Sequence, residues 1–189
     1  MIKTHVLEIE NHSDLSSSLH TFCSQNNIAN EQEILVQIFT CLTQKTTVQA
    51  IIHSVQTVLP NAKILGTSTG SWIAGQRYNS QHTILQICTF EHSQIKTLLI
   101  PTCQDNLTAL ADLVDQSIVS ENTRLMLLFS SPAIQQAGFL LDKLCLLNPD
   151  VVLAGGYSSQ GATTEPPLQF TEHGITDQGI ALVTISSPQ

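Results

Sequence analysis

Basic residues are scarce in this chain of 189 residues, in which seven Lys and Arg stand against fifteen Asp and Glu for a formal net charge of −8. The seven are spread singly between Lys3 and Lys143 and form no cluster. Proteins that bind nucleic acids or anionic membranes group their Lys and Arg side chains, because each one neutralises a phosphate. We therefore expect neither a nucleic acid nor a membrane as a partner.

The chain also lacks a long apolar run and a disulfide framework. No segment approaches the ~20 apolar residues that span a bilayer, and residues 1–8 include Lys3 and Glu8 where a secretory signal has apolar residues. The five cysteines are odd in number and contain no C-x-x-C pair, which favours buried free thiols in a reducing compartment. These absences predict a cytoplasmic protein.

Motifs for metals and nucleotides are missing as well. The seven histidines contain no H-x-x-x-H or H-E-x-x-H pair, so we predict no metal site. A phosphate-binding loop needs a lysine that the glycine-rich segments lack, and neither of these segments opens a helix as a dinucleotide-binding loop does. Haem stays open as a cofactor, because one histidine suffices as its axial ligand.

What the chain does contain is a pattern that occurs twice. Residues 35–40 (LVQIFT) are echoed by residues 125–130 (LMLLFS). Each run leads to an amphipathic segment, a short apolar run and then a polar segment, at residues 66–70 (the first glycine segment) and 155–159 (the second glycine segment). The repeat predicts an α/β fold with a mixed β-sheet core, outer helices and two similar β-α-β-β-β halves. The sequence does not decide between one continuous sheet and two stacked sheets.

Hydrophobic periodicity gives the expected elements. The turns at residues 77–80 and 91–93 are short enough for antiparallel pairing of the strands beside them, and the last two strands are expected to form a hairpin around His173 and Gly174. Ser13 and Asp14 are expected to cap the first helix, and Pro132 to begin the last. The predicted strands cover residues 4–10, 33–40, 62–65, 71–76, 82–90, 94–100, 123–130, 151–153, 168–172 and 179–186, and the predicted helices residues 13–25, 45–59, 105–119 and 132–147.

The two glycine segments are the candidate ligand site. Strands that end in Gly, Ser and Thr expose N–H groups and hydroxyls at a sheet edge, where they can hold a small polar ligand without acting on it. Trp72 and Arg77 follow the first segment closely. Trp72 is expected to form a pocket wall or to be an ordinary core residue, and Arg77 to bind a carboxylate or to be an ordinary turn residue. The predicted ligand-binding residues are Gly66, Thr67, Ser68, Thr69, Trp72, Arg77, Gly155, Gly156, Tyr157 and Ser158.

An alternative interpretation makes Ser68 a nucleophile. Residues 66–70 match G-x-S-x-G, the nucleophile elbow of α/β-hydrolases, and Asp150 and His173 follow in the order of a triad. The elbow needs a helix directly after the serine, whereas residues 71–76 predict a strand. We therefore prefer binding without catalysis and expect the protein not to be an enzyme.

The sequence resembles the FIST N-terminal domain of bacterial signal-transduction proteins. The similarity runs from about residue 30 to the end and lies in residues 59–70 (LPNAKILGTSTG), 152–156 (VLAGG) and 170–182. Two departures stand out. Thr67 replaces the cysteine usual in the family, and Tyr157 follows the second glycine pair in place of a small apolar residue.

This resemblance implies a function and a domain organisation. It implies one FIST N-like sensory domain over residues 1–189, which binds a small polar ligand such as an amino acid and signals to an output domain or partner protein. It also implies an alternative, a haem-binding nitric oxide sensor, without assigning a histidine to the haem. The C-terminal FIST domain and output domains that family members generally carry are absent from these residues.

Overall fold

The computed structural model describes residues 1–28, 32–74, 77–101, 107–134, 137–159 and 164–187. Its helices are α1 (Leu15–Gln25), α2 (Lys45–Val58), α3 (Leu107–Ile118) and α4 (Ala137–Leu147). Its strands are β1 (Ile2–Ile9), β2 (Glu33–Thr40), β3 (Lys63–Ser68), β4 (Trp72–Ala74), β5 (Arg77–Asn79), β6 (Thr83–Phe90), β7 (Gln94–Ile100), β8 (Thr123–Ser130), β9 (Val152–Tyr157), β10 (Gln169–Thr171), β11 (Gly174–Thr176) and β12 (Ile180–Ser186).

Two stacked sheets form the centre of the molecule. One has six strands in the order β1-β6-β2-β3-β10-β11, and the other has four in the order β7-β12-β8-β9. Strands β2 and β3 are parallel, as are β8 and β9, whereas β6 and β12 run antiparallel to their neighbours. This arrangement confirms the α/β class and answers the open question in favour of two sheets.

The layers follow from the sequence of the central strands. Both faces of β2 are buried, because Val36 and Ile38 pack in the core formed with α1 and α2 while Leu35 packs against the other sheet. Strands buried on both faces read as nearly continuous apolar runs, which is why residues 33–40 are predicted correctly. Helices α3 and α4 cover the outer face of the four-stranded sheet in the same way. Among the described residues, no helix combines the length and apolar character needed to cross a bilayer.

The chain is built from two equivalent halves. The order β1-α1-β2-α2-β3-(β4-β5)-β6 recurs as β7-α3-β8-α4-β9-(β10-β11)-β12, and the strand orders β1-β6-β2-β3 and β7-β12-β8-β9 correspond one to one. The predicted repeat is confirmed, and each half also includes a strand and a helix ahead of the predicted unit. Strand β3 pairs with β2 in the same register as β9 pairs with β8. Gly66 is therefore equivalent to Gly155, and Ser68 to Tyr157.

The halves differ in what lies beside β3 and β9. Strand β10, from the second half, pairs antiparallel with β3 of the first half, so that Phe170 lies opposite Gly66. The corresponding strands of the first half, β4 and β5, pair only with each other in the described residues. In the part of the chain that the structure describes, β9 is consequently an edge strand, whereas β3 is enclosed on both sides.

Several local predictions were wrong. The glycine segments are not loops at their start, because β3 continues through Ser68 and β9 through Tyr157. The short turn at residues 91–93 joins β6 and β7, which lie in different sheets, and residues 77–79 form β5. Strand β10 pairs with β11 while β12 joins the other sheet. A short loop permits antiparallel pairing of the two strands it joins but does not require it. Strands β7 and β12 bury their apolar faces in the second sheet instead.

Two helix starts also differ from the prediction. Asn11 accepts a hydrogen bond from the Ser13 N–H (3.2 Å) and caps a short 3-10 turn, whereas the Asp14 side chain makes no capping bond to α1. Pro132 lies in a turn, and α4 begins at Ala137. A cap residue accepts from an N–H two or three residues later, and Asn11 meets that condition one turn earlier than the predicted pair.

Candidate functional site

The two glycine segments meet directly. The Thr67 hydroxyl donates to the Ser158 hydroxyl oxygen (2.7 Å). The Ser159 N–H donates to the Ser68 carbonyl oxygen (3.1 Å), and the Gly70 N–H donates to the Ser159 hydroxyl oxygen (3.0 Å). The two segments therefore lie together, while the prediction that they hold a ligand between them stays a prediction. The cause is the twofold fold, which brings the ends of β3 and β9 to the same edge of the stacked sheets.

The contact between the segments is closed. Thr67, Ser68 and Ser158 are 4%, 1% and 3% exposed. The Ser68 hydroxyl donates to the Leu42 carbonyl oxygen (2.8 Å), so that it too is satisfied within the protein. Buried hydroxyls that bond one another stabilise the fold, because leaving them unpaired would be costly. These three residues join the two sheets and leave no space between them for a ligand.

Thr69 and Trp72 are also hydrogen-bonded within the protein. The Thr69 hydroxyl donates to the Ser71 carbonyl oxygen (2.7 Å). Trp72 is 7% exposed and its indole N–H donates to the His82 carbonyl oxygen (3.1 Å), as expected of a core residue. The side chain of Arg77 lies outside the described part of the structure.

A second hydroxyl network occupies the same edge. The Thr40 and Thr83 hydroxyls are hydrogen-bonded (2.7 Å), and His12 Nε2 bonds the Thr83 hydroxyl (2.8 Å). Burial, with a smaller contribution from His82, lowers the pKa of His12 and favours its neutral ring. Burial also raises the pKa of the Cys41 thiol. Both shifts favour uncharged side chains. A nucleophilic thiol needs the opposite, a lowered pKa that favours the thiolate.

The geometry around Ser68 is not that of a nucleophile elbow. An extended segment follows Ser68 where the elbow needs a helix. Asp150 precedes β9, at the end of that strand remote from Ser158 and Ser68. His173 lies in the β10–β11 turn, and β10 runs antiparallel to β3 so that this turn also points away from Ser68. The structure therefore does not bring the triad predicted on paper together.

An open cavity of about 240 Å³ lies beside the second glycine segment, between β9 and α4. We call it the β9–α4 cavity. Three of the predicted site residues, Gly155, Gly156 and Tyr157, form part of its wall, and most of the rest is apolar. Its lining residues are Leu128, Ser130, Leu140, Leu141, Leu153, Ala154, Gly155, Gly156 and Tyr157.

The glycines of β9 shape this cavity. Gly155 has φ +145°, and a β-carbon there would collide with the Leu128 carbonyl oxygen, so only glycine fits. A β-carbon on Gly156 would have nothing within 4 Å. Tyr157, at the end of the strand, is 57% exposed. The second glycine segment thus leaves open space where the first is filled.

The outer edge of β9 supplies polar groups to the same place. The Ser158 N–H donates to the Ser130 carbonyl oxygen (2.9 Å), toward β8. Because backbone groups alternate along a strand, those of Leu153, Gly155 and Tyr157 point away from β8. The cavity therefore combines an apolar interior with backbone donors and acceptors along one rim.

Helix α4 forms the other wall and is mostly apolar, with Asp142 and Lys143 as its charged residues. Leu140 and Leu144 are buried against the sheet, while Phe139 is 53% exposed and Leu146 is 79% exposed. A helix that covers a sheet and faces water on its other side normally has a polar outer face. The exposed apolar residues Phe139 and Leu146 are the sequence signal for this surface, and the prediction from polar residues does not include them.

One group of side chains has the composition of a metal site. Ligand atoms of Glu8, Glu10 and His82 lie within 4.8 Å of one another, and the His82 Nδ1 to Glu8 Oε1 distance is 3.0 Å. His82 lies over 70 residues from both glutamates, so the three residues form no sequence motif. Partly exposed carboxylates often gather without an ion, and no metal site is assigned here.

The β9–α4 cavity does not fit haem. None of the seven histidines lines it, and a haem held by an axial histidine needs one at its site. Its apolar wall and backbone rim suit a smaller molecule.

Comparison with known proteins identifies a family. The model of the FIST N domain matches residues 34–189. No curated protein matches the chain. Among solved structures, the chain is similar to the cyanuric acid hydrolase from A. caulinodans, with 9% sequence identity and a TM-score of 0.49 over 100% of this chain and 68% of that one. Similarity at this level implies neither a shared activity nor a shared site.

Proposed function

The chain belongs to the FIST N domain family of signal-transduction sensory domains, and from that membership we propose that it senses a small ligand in the β9–α4 cavity. The proposed site keeps Gly155, Gly156 and Tyr157 from the sequence prediction and replaces the first glycine segment by α4. We propose binding without catalysis there, and the mainly apolar wall of the cavity supports this.

The observation that supports this proposal is the size and lining of the cavity. Apolar cavities of roughly 150 Å³ hold benzene, and this one measures about 240 Å³. It therefore has room for an apolar or aromatic side chain, but it is smaller than the roughly 300–1,000 Å³ of drug-sized sites. A small ligand with one apolar group suits these dimensions.

The rim of the cavity extends the proposal to a ligand class. The outward N–H and C=O groups of Leu153, Gly155 and Tyr157 match the charged ends of an amino acid: the carboxylate accepts from an N–H, and the ammonium donates to a C=O. The apolar side chain then enters between β9 and α4. We therefore propose an L-amino acid with an aromatic or large aliphatic side chain as the ligand.

A signal requires that the ligand favour one arrangement of the protein over another. A ligand in the cavity touches Leu140 and Leu141 on α4 and the backbone of β9 at the same time. It would thereby fix the position of α4 against the sheet. The exposed outer residues Phe139 and Leu146 on that helix would pass the change to a partner protein or output domain.

The test is a thermal-shift screen of the L-amino acids on three proteins: wild type, Leu141→Trp and Leu146→Trp. Leu141 lines the cavity, while Leu146 is on the same helix outside it and is 79% exposed. Aromatic or large aliphatic amino acids should raise the Tm of the wild type and of Leu146→Trp but not of Leu141→Trp. Equal shifts in all three, or none in the wild type, would overturn the proposal.

A further inference from the structure

The β9–α4 cavity lies at the position in the second half that Phe170 fills in the first. Gly66 pairs with Ile38 on β2, and Gly155 pairs with Leu128 at the equivalent position of β8. Phe170 lies opposite Gly66 across the β3–β10 pair. The cavity wall includes Gly155 and α4, as the surroundings of Phe170 include Gly66 and the α2 core.

In the first half, an added strand completes the sheet. The ring of Phe170 occupies the space beside Gly66 and is fully buried, and the Ser68 N–H donates to the Leu168 carbonyl oxygen (2.7 Å). Backbone bonds and one apolar side chain thus hold β10 in place. This is the usual way in which an extended segment adds to a sheet edge.

The second half has the same outward backbone groups and the same apolar space beside β9. Tyr157 is the equivalent of Ser68, and its N–H points outward from β9. In the part of the chain that the structure describes, no strand lies beyond β9. Val152, at the start of β9, is 63% exposed. An open edge with an apolar cavity beside it is a template for pairing with another chain.

The strand that internal symmetry assigns to this edge is β4. The β4–β5 pair follows β3 as the β10–β11 pair follows β9, and the pairing of Ile73 with Tyr78 corresponds to that of Phe170 with Ile175. Ile73 is 77% exposed and Tyr78 is 69% exposed. Trp72 on β4 holds the other face of this hairpin to the core. The exposed face with Ile73 and Tyr78 is therefore the one available for packing on another surface.

We propose that β4 of a second copy of this chain pairs antiparallel with β9, with Ile73 of that copy filling the β9–α4 cavity. The hairpin and β9 are close together in one chain, since Gly70 just before β4 bonds Ser159 just after β9. A twofold axis near this contact places each hairpin on the other copy's β9. The two contacts are then reciprocal, which closes the assembly at a dimer.

This inference goes beyond the proposed function and connects to it through the shared cavity. If an amino acid also binds there, it competes with Ile73 and shifts the dimer toward monomers. That consequence rests on the proposed function, whereas the dimer itself does not. The experiment below therefore contains no ligand, so that its failure would leave the proposed ligand site untouched.

The test measures mass in solution by light scattering and sedimentation over a wide range of concentrations. Wild type and the control Ile2→Glu, at an isoleucine 63% exposed on edge strand β1, should dimerise. Ile73→Glu and Leu141→Trp should have the mass of a monomer in the same measurements. Circular dichroism should show that both variants are folded. A wild type that is monomeric throughout, or a dimer that Ile73→Glu leaves intact, would overturn the proposal.

Hydrogen exchange locates the interface independently. The outward amides of Leu153, Gly155 and Tyr157 should be protected in the wild-type dimer and should lose that protection in Ile73→Glu, while amides of β3 keep theirs. Protection of these amides in a wild-type monomer would instead show that β9 is covered by the chain's own hairpin, and the dimer would be wrong.

Discussion

The ring of Phe170 fills the space that a β-carbon on Gly66 would need. Gly66 is therefore a packing residue: its missing side chain lets β10 lie close against β3 with a fully buried aromatic ring between them. The equivalent glycine of the second half, Gly155, has no such ring beside it and borders a cavity. One half of the repeat is thus closed at the place where the other is open.

This packing predicts how the fold responds to substitution. Phe170→Ala should lower the free energy of unfolding by about 3–5 kcal/mol, because it leaves a cavity in the core. Gly66→Ala should also destabilise, since its β-carbon meets the ring, and the double variant should cost less than the sum of the two. Urea unfolding measures all three. Gly156→Ala is the control, with open space around its β-carbon, and a Gly66→Ala protein as stable as that control would contradict the account.

The contact between Thr67 and Ser158 distinguishes a structural role from a ligand site. Ser158→Ala leaves the buried Thr67 hydroxyl without its partner and should cost about 1–3 kcal/mol of unfolding free energy. Removing both hydroxyls, in Thr67→Val with Ser158→Ala, should cost less than the two single changes added together.

Ligand binding is the second readout for these variants. The amino-acid thermal shift should survive in each of them, because neither hydroxyl lines the β9–α4 cavity. A variant with wild-type stability and no ligand response would show that the closed contact is the binding site after all.

Glu172 ties the two sheets together. Its carboxylate accepts from the Ile64 N–H (2.9 Å) on β3 and from the Thr97 hydroxyl (2.5 Å) on β7, and its side chain is 8% exposed. Glu172→Ala should therefore lower the free energy of unfolding by about 2 kcal/mol, since a buried N–H and a hydroxyl lose a charged partner. Glu172→Gln, which keeps an acceptor, should cost less. Denaturation of both beside Glu121→Ala, at an exposed glutamate, checks the effect, and equal stability of all three would refute it.

The pKa of His12 predicts a dependence of stability on pH. Burial lowers this pKa in the folded protein from the ordinary value of 6.5. The unfolded chain therefore takes up the proton first. The contribution of His12 to stability should be fully present well above pH 6.5 and be lost as the pH decreases toward the folded pKa. His12→Gln should show a smaller fall in urea midpoint over the same acidic range. An identical pH profile in the variant would remove His12 from the explanation.

Much of this architecture could be predicted from the sequence, because burial on both faces leaves a clear pattern. The runs at residues 33–40 and 123–130 are strands for that reason, and the stripe of Val48, Ile51 and Val55 on α2 is buried as its spacing indicates. The contact between the glycine segments followed from the repeat itself. These signals are local, or are repeated, and need no knowledge of which strand lies beside which.

The rest depends on pairing across the halves, which no local pattern records. Gly66 reads as a loop residue until Phe170 is known to lie beside it, over 100 residues later. The pattern around Ser68 leaves a nucleophile open as an alternative, and only the structure shows that its hydroxyl bonds the Leu42 carbonyl oxygen. In the described residues, β3 has a neighbouring strand on its outer side and β9 has none. The sequence pointed to both glycine segments alike, because nothing in their residue types shows that only the second borders a cavity.

The most direct test of the account is a titration of the ¹⁵N-labelled Ile73→Glu protein with L-phenylalanine, followed by NMR. This variant leaves the cavity free of a second copy. Amide signals of Leu153, Gly155 and Tyr157 should shift and saturate together, while those of Gly66 and Thr67 stay in place. Shifts at Gly66 and Thr67 with β9 unchanged, or no shifts at millimolar phenylalanine, would contradict the claim that the second half holds the open binding site.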